Sequence, residues 1–149
     1  MISYPLQFTY SAEAVMGTQT LWTTQTAEGR SAPCAVPPEF EGPGNGYSPE
    51  DFFGLSLLNC FVATFKVIAE KSKVPFKALT TLGSLTVDRD ERGRPYMKTF
   101  GIEARVSPGP DGEGARIRRV FDKTTESCIV ANSVKTQVIF TLILIDASD

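Results

Sequence analysis

Three cysteines, Cys34, Cys60 and Cys128, are the residues of this sequence most open to chemistry. Their spacing does not resemble the close cysteine pairs that bind zinc, so a zinc site is not expected. The chain contains no histidine, which excludes Ser-His-Asp and Cys-His catalysis within one chain and removes the commonest metal ligand. If the protein is an enzyme, its chemistry must therefore rest on thiols, carboxylates, hydroxyls or arginine.

Each cysteine has a structural and a reactive interpretation. Cys60 lies in an apolar stretch, where a free cysteine is commonly a small buried side chain, and a reactive thiol there needs a cationic neighbour. Cys128 follows Ser127, which can cap a short helix beginning at Cys128, and a helix N-terminus favours a thiolate. Cys34 lies in a short strand before a loop, and we expect it to be structural.

The helix that must carry Cys60 has a well-marked beginning. Ser48 fits the N-cap, Pro49 fits the first helical position, and Ser48 and Asp51 have the spacing of a capping box. The pattern predicts a helix over 49–72. Because its central part is apolar nearly all round, we expect burial on most sides, which is hard to achieve within one chain of 149 residues. The sequence therefore predicts a homodimer.

The remaining elements follow from alternation and turn residues. Strands are predicted over 6–10, 18–26 and 31–36, a hairpin over 79–88 and 99–106, a helix over 115–126, and a final strand over 136–145. The last strand is apolar on both faces and should be covered on both sides. The order β-β-β-α-β-β-α-α-β predicts one α+β domain over residues 1–149.

Composition and charge exclude several classes of partner. The net charge is −2, and Arg116, Arg118 and Arg119 are flanked by acidic residues, which indicates a solvated helix face and no nucleic-acid partner. The N-terminus has no features of a signal peptide, and the longest uncharged apolar run, 52–65, is too short to span a membrane. We expect a cytoplasmic protein without a membrane partner, whose cysteines are kept reduced.

Two motifs carry a resemblance to a known family. Residues 47–53 (YSPEDFF) are followed by 57–60 (LLNC), and 126–132 (ESCIVAN) come later in the chain. These segments resemble the two cysteine motifs of the OsmC/Ohr family, in the family's order. The resemblance implies an α+β OsmC-like fold, with antiparallel sheets around a buried central helix carrying Cys60, in an intertwined homodimer.

The resemblance also implies an activity. Cys60 looks like the peroxidatic thiol of a thiol-dependent peroxidase that reduces organic hydroperoxides, and Cys128 looks like the resolving thiol that forms a disulfide with it. An external dithiol then reduces the disulfide, and some members of the family use lipoyl groups for this. No metal or bound cofactor is implied. Glu50 matches the family glutamate that orients an arginine on the thiolate, although a first-turn acid also favours the helix dipole.

The activating arginine is where the sequence departs from the family. In the OsmC branch an arginine precedes a Phe-Glu-Gly segment, and Glu39 stands at that place here. The Ohr branch takes its arginine from a turn near the N-terminus, for which Arg30 is the nearest candidate, with a solvated turn residue as the other interpretation. Ile129 replaces a proline of many members. The alternative function is an OsmC-like protein without peroxidase activity that binds a small apolar ligand at the dimer interface.

The positions of Glu50 and Cys60 bear on how such a site could be built. Ten residues on one helix separate them by about 15 Å along the axis and turn them to different faces. One guanidinium cannot easily reach both groups within a chain. The family's arrangement therefore predicts a composite site, in which Glu50 and Arg30 come from the partner subunit.

Overall fold

The computed structural model describes residues 1–110 and 113–146, and the chain forms two compact units, Met1–Phe52 and Phe53–Asp149. The predicted α+β class is confirmed, and the elements follow the predicted order. The one exception is the last predicted helix, which is a short 3-10 turn at Ala131–Ser133. Each unit is described by itself below.

The N-terminal unit contains a three-stranded antiparallel sheet in the order β1-β2-β3. Its strands are β1 (Tyr10–Glu13), β2 (Trp22–Thr26) and β3 (Ser31–Cys34). The predicted first strand over 6–10 is wrong except at its end, because pairing with β2 begins only at Tyr10, opposite Thr26. Gly29 has a φ of 86° in the predicted turn between β2 and β3, and its N–H donates to the Thr26 carbonyl oxygen at 3.0 Å.

Helix α1 (Pro49–Lys71) confirms the predicted 49–72 to within one residue. The capping box is formed, since the Asp51 N–H donates to Ser48 Oγ and the Ser48 N–H donates to Asp51 Oδ2, both at 3.0 Å. These two bonds satisfy backbone donors that the first turn leaves free. By length and composition alone α1 could also cross a membrane, a test that the core helix of a soluble protein passes as well.

The second unit contains a mixed three-stranded sheet in the order β4-β5-β6. Its strands are β4 (Phe76–Arg89), β5 (Pro95–Pro108) and β6 (Gln137–Leu144). β4 and β5 are antiparallel, but β5 and β6 are parallel, so the expectation of purely antiparallel sheets is wrong. The reason is helix α2 (Gly114–Ser127), which lies between β5 and β6 and returns the chain in the same direction.

The core of the second unit lies between the helices and one face of this sheet. α1 contributes a stripe of buried residues spaced four apart, and β5 contributes alternate residues. These are Leu57, Phe61, Phe65 and Ala69 from α1, and Phe100, Ile102, Ala104 and Val106 from β5. Burial of α1 on most sides is not met within the single chain, since Leu55 and Val67 are exposed. Cover on both faces of β6 is likewise not met within the single chain, because Ile139 and Ile143 are exposed.

Two contacts fix α1 against α2. The Arg116 guanidinium donates through Nη2 to the carbonyl oxygens of Ser72 and Lys73, at 3.1 and 3.0 Å, just beyond the end of α1. Arg116 is therefore half-buried and hydrogen-bonded, whereas its acidic sequence neighbours had indicated a solvated side chain. Near the middle of α1, the rings of Phe61 and Phe121 meet edge to face with centroids 5.8 Å apart. The helix that carries Cys60 is thereby held against the helix that leads to Cys128.

Candidate functional site

Cys60 lies in the middle of α1, directly before the buried Phe61. Its side chain is partly exposed, because it points beside the buried stripe and not along it. The neighbouring Asn59 is held by its side-chain amide, which donates to the Leu55 carbonyl oxygen at 2.8 Å. A rigid helix interior therefore presents this thiol at a fixed place with some access from solvent.

Whereas Cys60 lies in a helix interior, Cys128 lies at the C-terminal end of a helix. α2 includes Ser127, and Cys128 is its C-cap with extended backbone angles (φ −70°, ψ 104°), so the predicted helix beginning at Cys128 is wrong. The following turn is held by Asn132, whose N–H donates to the Cys128 carbonyl oxygen and whose side-chain amide donates to the Glu126 carbonyl oxygen, both at 2.9 Å. The Cys128 side chain is fully buried, with 0% exposure.

The two thiols stand beside one another although Cys60 lies within α1 and Cys128 follows the end of α2. Burial, a hydrogen bond with the Cys60 side chain and the charge of that side chain together raise the pKa of the Cys128 thiol to about 11. Backbone N–H groups of Ala131 and Val130 act in the opposite direction, because they hydrogen-bond to the Cys128 sulfur. The helix N-terminus that was expected to favour a thiolate is absent at Cys128, burial raises its pKa, and Cys128 is a thiol at neutral pH.

Cys34 is separate from this pair in the chain and belongs to the N-terminal unit. It is buried, with 2% exposure, and its thiol donates to the Ala32 carbonyl oxygen at 3.7 Å. Cys34, the last residue of β3, also forms an isolated β-bridge with Tyr47. This environment is that of a small core side chain, in line with the structural interpretation.

Arg30 and Glu50 both belong to the N-terminal unit, but the structure does not pair them. Arg30 Nη1 lies 3.4 Å from Glu28 Oε2, and the Arg30 side chain is 78% exposed. One carboxylate oxygen of Glu50, Oε2, is buried and has no hydrogen-bond partner among residues 1–110 and 113–146. Glu39 lies in a short 3-10 turn at Pro38–Phe40 and is exposed.

The N-terminal unit also contains a cavity that the sequence did not predict. Its volume is about 390 Å³. The lining residues come from β1, β2, β3, the turn at Arg30 and the start of α1: Tyr10, Thr24, Gln25, Thr26, Arg30, Ser31, Ala32 and Phe52. Over the described part of the chain, no group of three or more cysteine and acidic side chains could hold a metal ion.

The family model described as OsmC-like protein matches residues 42–143. The chain belongs to the OsmC-like family. The match spans α1, both strands of the long hairpin, α2 and nearly all of β6, so it includes Cys60 and Cys128 but not Arg30. No curated protein matches the sequence significantly.

Solved structures of other OsmC-like proteins share the fold at low sequence identity. An OsmC-like protein of unknown function from Vibrio cholerae is 16% identical, with a TM-score of 0.84 over 93% of this chain and 100% of its own. An organic hydroperoxide resistance protein OsmC from Legionella pneumophila is 16% identical, with a TM-score of 0.71 over 95% and 98%. The organic hydroperoxide resistance protein OhrB of Bacillus subtilis is 16% identical, with a TM-score of 0.65 over 94% and 98%.

The structure of this OsmC-like protein brings together two of the four predicted site residues, Cys60 and Cys128. It leaves Arg30 on a solvated ion pair and Glu50 with an unpartnered oxygen. Sequence reasoning missed the backbone N–H groups of Val130 and Ala131, because a backbone donor has no side-chain signature. It also missed the cavity, whose lining comes from three strands and a helix start that only folding brings together.

Proposed function

We propose that this protein is a thiol-dependent peroxidase that reduces organic hydroperoxides. The observation that carries the proposal is the pair of thiols, Cys60 partly exposed and Cys128 fully buried beside it. A pair arranged in this way has the parts needed for a first oxidation at an accessible sulfur and a second step with an adjacent thiol. The organic hydroperoxide resistance proteins that share the fold support the choice of oxidant.

The proposed cycle begins with the Cys60 thiolate. It attacks one oxygen of the hydroperoxide O–O bond, the alcohol leaves, and Cys60 becomes a sulfenic acid. The Cys128 sulfur then attacks the Cys60 sulfur, water leaves, and a Cys60–Cys128 disulfide forms. An external dithiol, such as a protein-bound lipoyl group, returns both cysteines to thiols by exchange. No metal ion or bound cofactor takes part, and the reducing cytoplasm is the proposed location.

The groups that activate Cys60 are proposed to come from two copies of the chain. The buried, unpartnered Glu50 oxygen supports this, because a buried carboxylate without a hydrogen bond is costly and is normally satisfied by a donor. A guanidinium that bonds to Glu50 in the homodimer could also contact the Cys60 thiolate of the other chain. Arg30 is the proposed donor, and the Glu28 pairing must then be exchanged, at small cost because both side chains are solvated.

Intact-mass analysis after one equivalent of an organic hydroperoxide tests the proposed function. We expect a loss of two hydrogens, mapped by peptide analysis to a Cys60–Cys128 disulfide. The Cys34→Ser variant is the matched control and should give the same loss. An unchanged mass, or oxidation confined to Cys34, would contradict the proposal.

A second candidate is favoured by the cavity of about 390 Å³ in the N-terminal unit. In this alternative the protein lacks peroxidase activity and binds a small apolar ligand, at the dimer interface. Ala32 lines the cavity whereas Ala27, in the turn after β2, does not. Ala32→Phe should then abolish binding of an apolar fluorescent probe, and Ala27→Phe should not. Equal binding by both variants would remove the support for this candidate.

A further inference from the structure

The two sulfurs of a Cys60–Cys128 disulfide would not be equally open to an external thiol. Cys60 is partly exposed, whereas Cys128 is completely buried within one chain. A second chain can only remove further surface, so no assembly of folded chains makes Cys128 more accessible. Because thiol–disulfide exchange requires the attacking thiolate to reach a sulfur, access alone favours attack on Cys60.

We propose that the external dithiol attacks the Cys60 sulfur and that Cys128 is the sulfur that leaves. This inference rests on the proposed function, since it concerns the reduction half of that cycle. A bond forms between the dithiol sulfur and Cys60 Sγ, the Cys60–Cys128 bond breaks, and its electron pair passes to Cys128 Sγ, which then takes a proton from water. The second thiolate of the reductant then attacks the reductant sulfur that is bonded to Cys60. This step releases the Cys60 thiolate and leaves the reductant as a disulfide.

Trapping with a monothiol tests the position of attack independently of peroxide. The disulfide is formed with diamide, treated with excess 2-mercaptoethanol, quenched with acid at short times, alkylated with N-ethylmaleimide and mapped by peptide mass. We expect the mercaptoethanol adduct on Cys60 and the maleimide on Cys128. An adduct on Cys128 at the earliest times would overturn the proposal. If the proposed function is wrong, the protein will not consume peroxide, but the mercaptoethanol adduct will still be found on Cys60.

Alkylation rates of single-cysteine proteins test the access argument directly, and thermal melts establish that these proteins are folded. These proteins carry Cys34→Ser with either Cys128→Ser or Cys60→Ser. Cys60 should react at least about tenfold faster than Cys128, because reaction requires an accessible thiolate. Equal alkylation rates would contradict attack at Cys60.

Discussion

At the scale of single residues, the two cysteines divide the proposed reaction between them through burial. Cys60 has access to solvent, so a hydroperoxide can reach it, whereas Cys128 is buried and meets only its neighbours. The raised pKa of Cys128 keeps it protonated at neutral pH, so it does not compete for the oxidant. Two residues of the same type thus acquire different roles from their surroundings.

Substitution of each cysteine separates these roles. Cys60→Ser should abolish peroxide consumption, because no other accessible thiol remains beside Cys128. Cys128→Ser should still permit the first oxidation but leave Cys60 as a sulfenic acid that is open to over-oxidation. Peroxide consumption and intact mass measure both effects. Cys34→Ser is the control, and an equal loss of turnover in all three variants would show that the cysteines act through folding.

The raised pKa of Cys128 makes the formation of the disulfide depend on pH. Only the Cys128 thiolate attacks the sulfenic acid, and below its pKa the thiolate fraction rises about tenfold for each pH unit. The rate of disulfide formation should therefore increase from pH 6 to pH 9. Oxidation of Cys60 removes the charge that raises the Cys128 pKa, so the midpoint should lie below about 11.

Rapid-quench mass analysis at several pH values measures this step after a single addition of hydroperoxide. Cys128→Ser provides the baseline, since it cannot form the disulfide. A rate that is constant or falls with pH would show that Cys128 does not act through its thiolate.

At the scale of elements, the close approach of α1 to the β4–β5 hairpin sets the position of the helix that carries Cys60. Phe100 of β5 fills the space between Gly54 of α1 and Gly83 of β4. A Cβ atom at Gly83 would lie 2.7 Å from Phe100 Cζ and 3.2 Å from Leu58 Cδ1. Glycine is required there because the helix, the strand and the ring already fill the space.

Gly83→Ala should therefore destabilise the protein by about 1–3 kcal/mol, the usual cost of overpacking a well-filled core. Gly101 on β5 is a matched control, because a Cβ atom there meets nothing within 4 Å. Chemical denaturation followed by circular dichroism measures both variants. Equal stability of Gly83→Ala and Gly101→Ala would contradict the close packing of α1 on the hairpin.

At the scale of the whole molecule, the N-terminal segment carries a stripe of exposed apolar side chains. Residues 1–9 form no strand, yet apolar side chains recur at every second position from residue 2 to residue 10, and all are exposed: Ile2, Tyr4, Leu6, Phe8 and Tyr10. A single exposed apolar residue is ordinary, but a regular stripe of this kind marks an interaction surface. Together with the exposed residues of α1, the stripe supports the proposed homodimer.

Replacing the apolar residues of this segment should weaken the dimer. Leu6→Ser with Phe8→Ser removes two exposed apolar side chains of the stripe, and each buried side chain of this kind contributes about 1.5–3 kcal/mol. Gln7→Ser with Thr9→Ser is the control on the polar positions of the same segment. Analytical ultracentrifugation measures the dimer dissociation constant. A stable monomer for the unaltered protein at micromolar concentration would contradict the homodimer itself.

The composite site makes a separate prediction for mixed subunits. Cys60→Ser and Glu50→Ala should each be inactive, but a heterodimer would contain one site with both Cys60 and Glu50 intact. Mixing the two under conditions that exchange subunits should restore part of the peroxidase activity. If exchange is proven by mass and no activity returns, Glu50 does not act across the interface.

The sequence by itself determined the local features of this protein. Ser48, Pro49 and Asp51 specify the start of α1, because a capping box involves residues only three positions apart. The α+β class, the order of elements and the two cysteine motifs were likewise readable, since each depends on neighbours in the chain. The apolar composition of the last strand was also readable, but a single chain leaves Ile139 and Ile143 exposed, because cover depends on what packs against the sheet.

Tertiary structure decided what distant segments do to one another. It placed Cys128 at the end of α2 and not at the start of a helix, and buried it beside Cys60, so that its pKa rises where the sequence predicted a favoured thiolate. It made β6 parallel to β5 and placed two backbone N–H donors at the Cys128 sulfur, which the types of the side chains do not reveal. The physical reason is that burial and hydrogen bonding are sums over neighbours in space, whereas a sequence pattern records only neighbours along the chain.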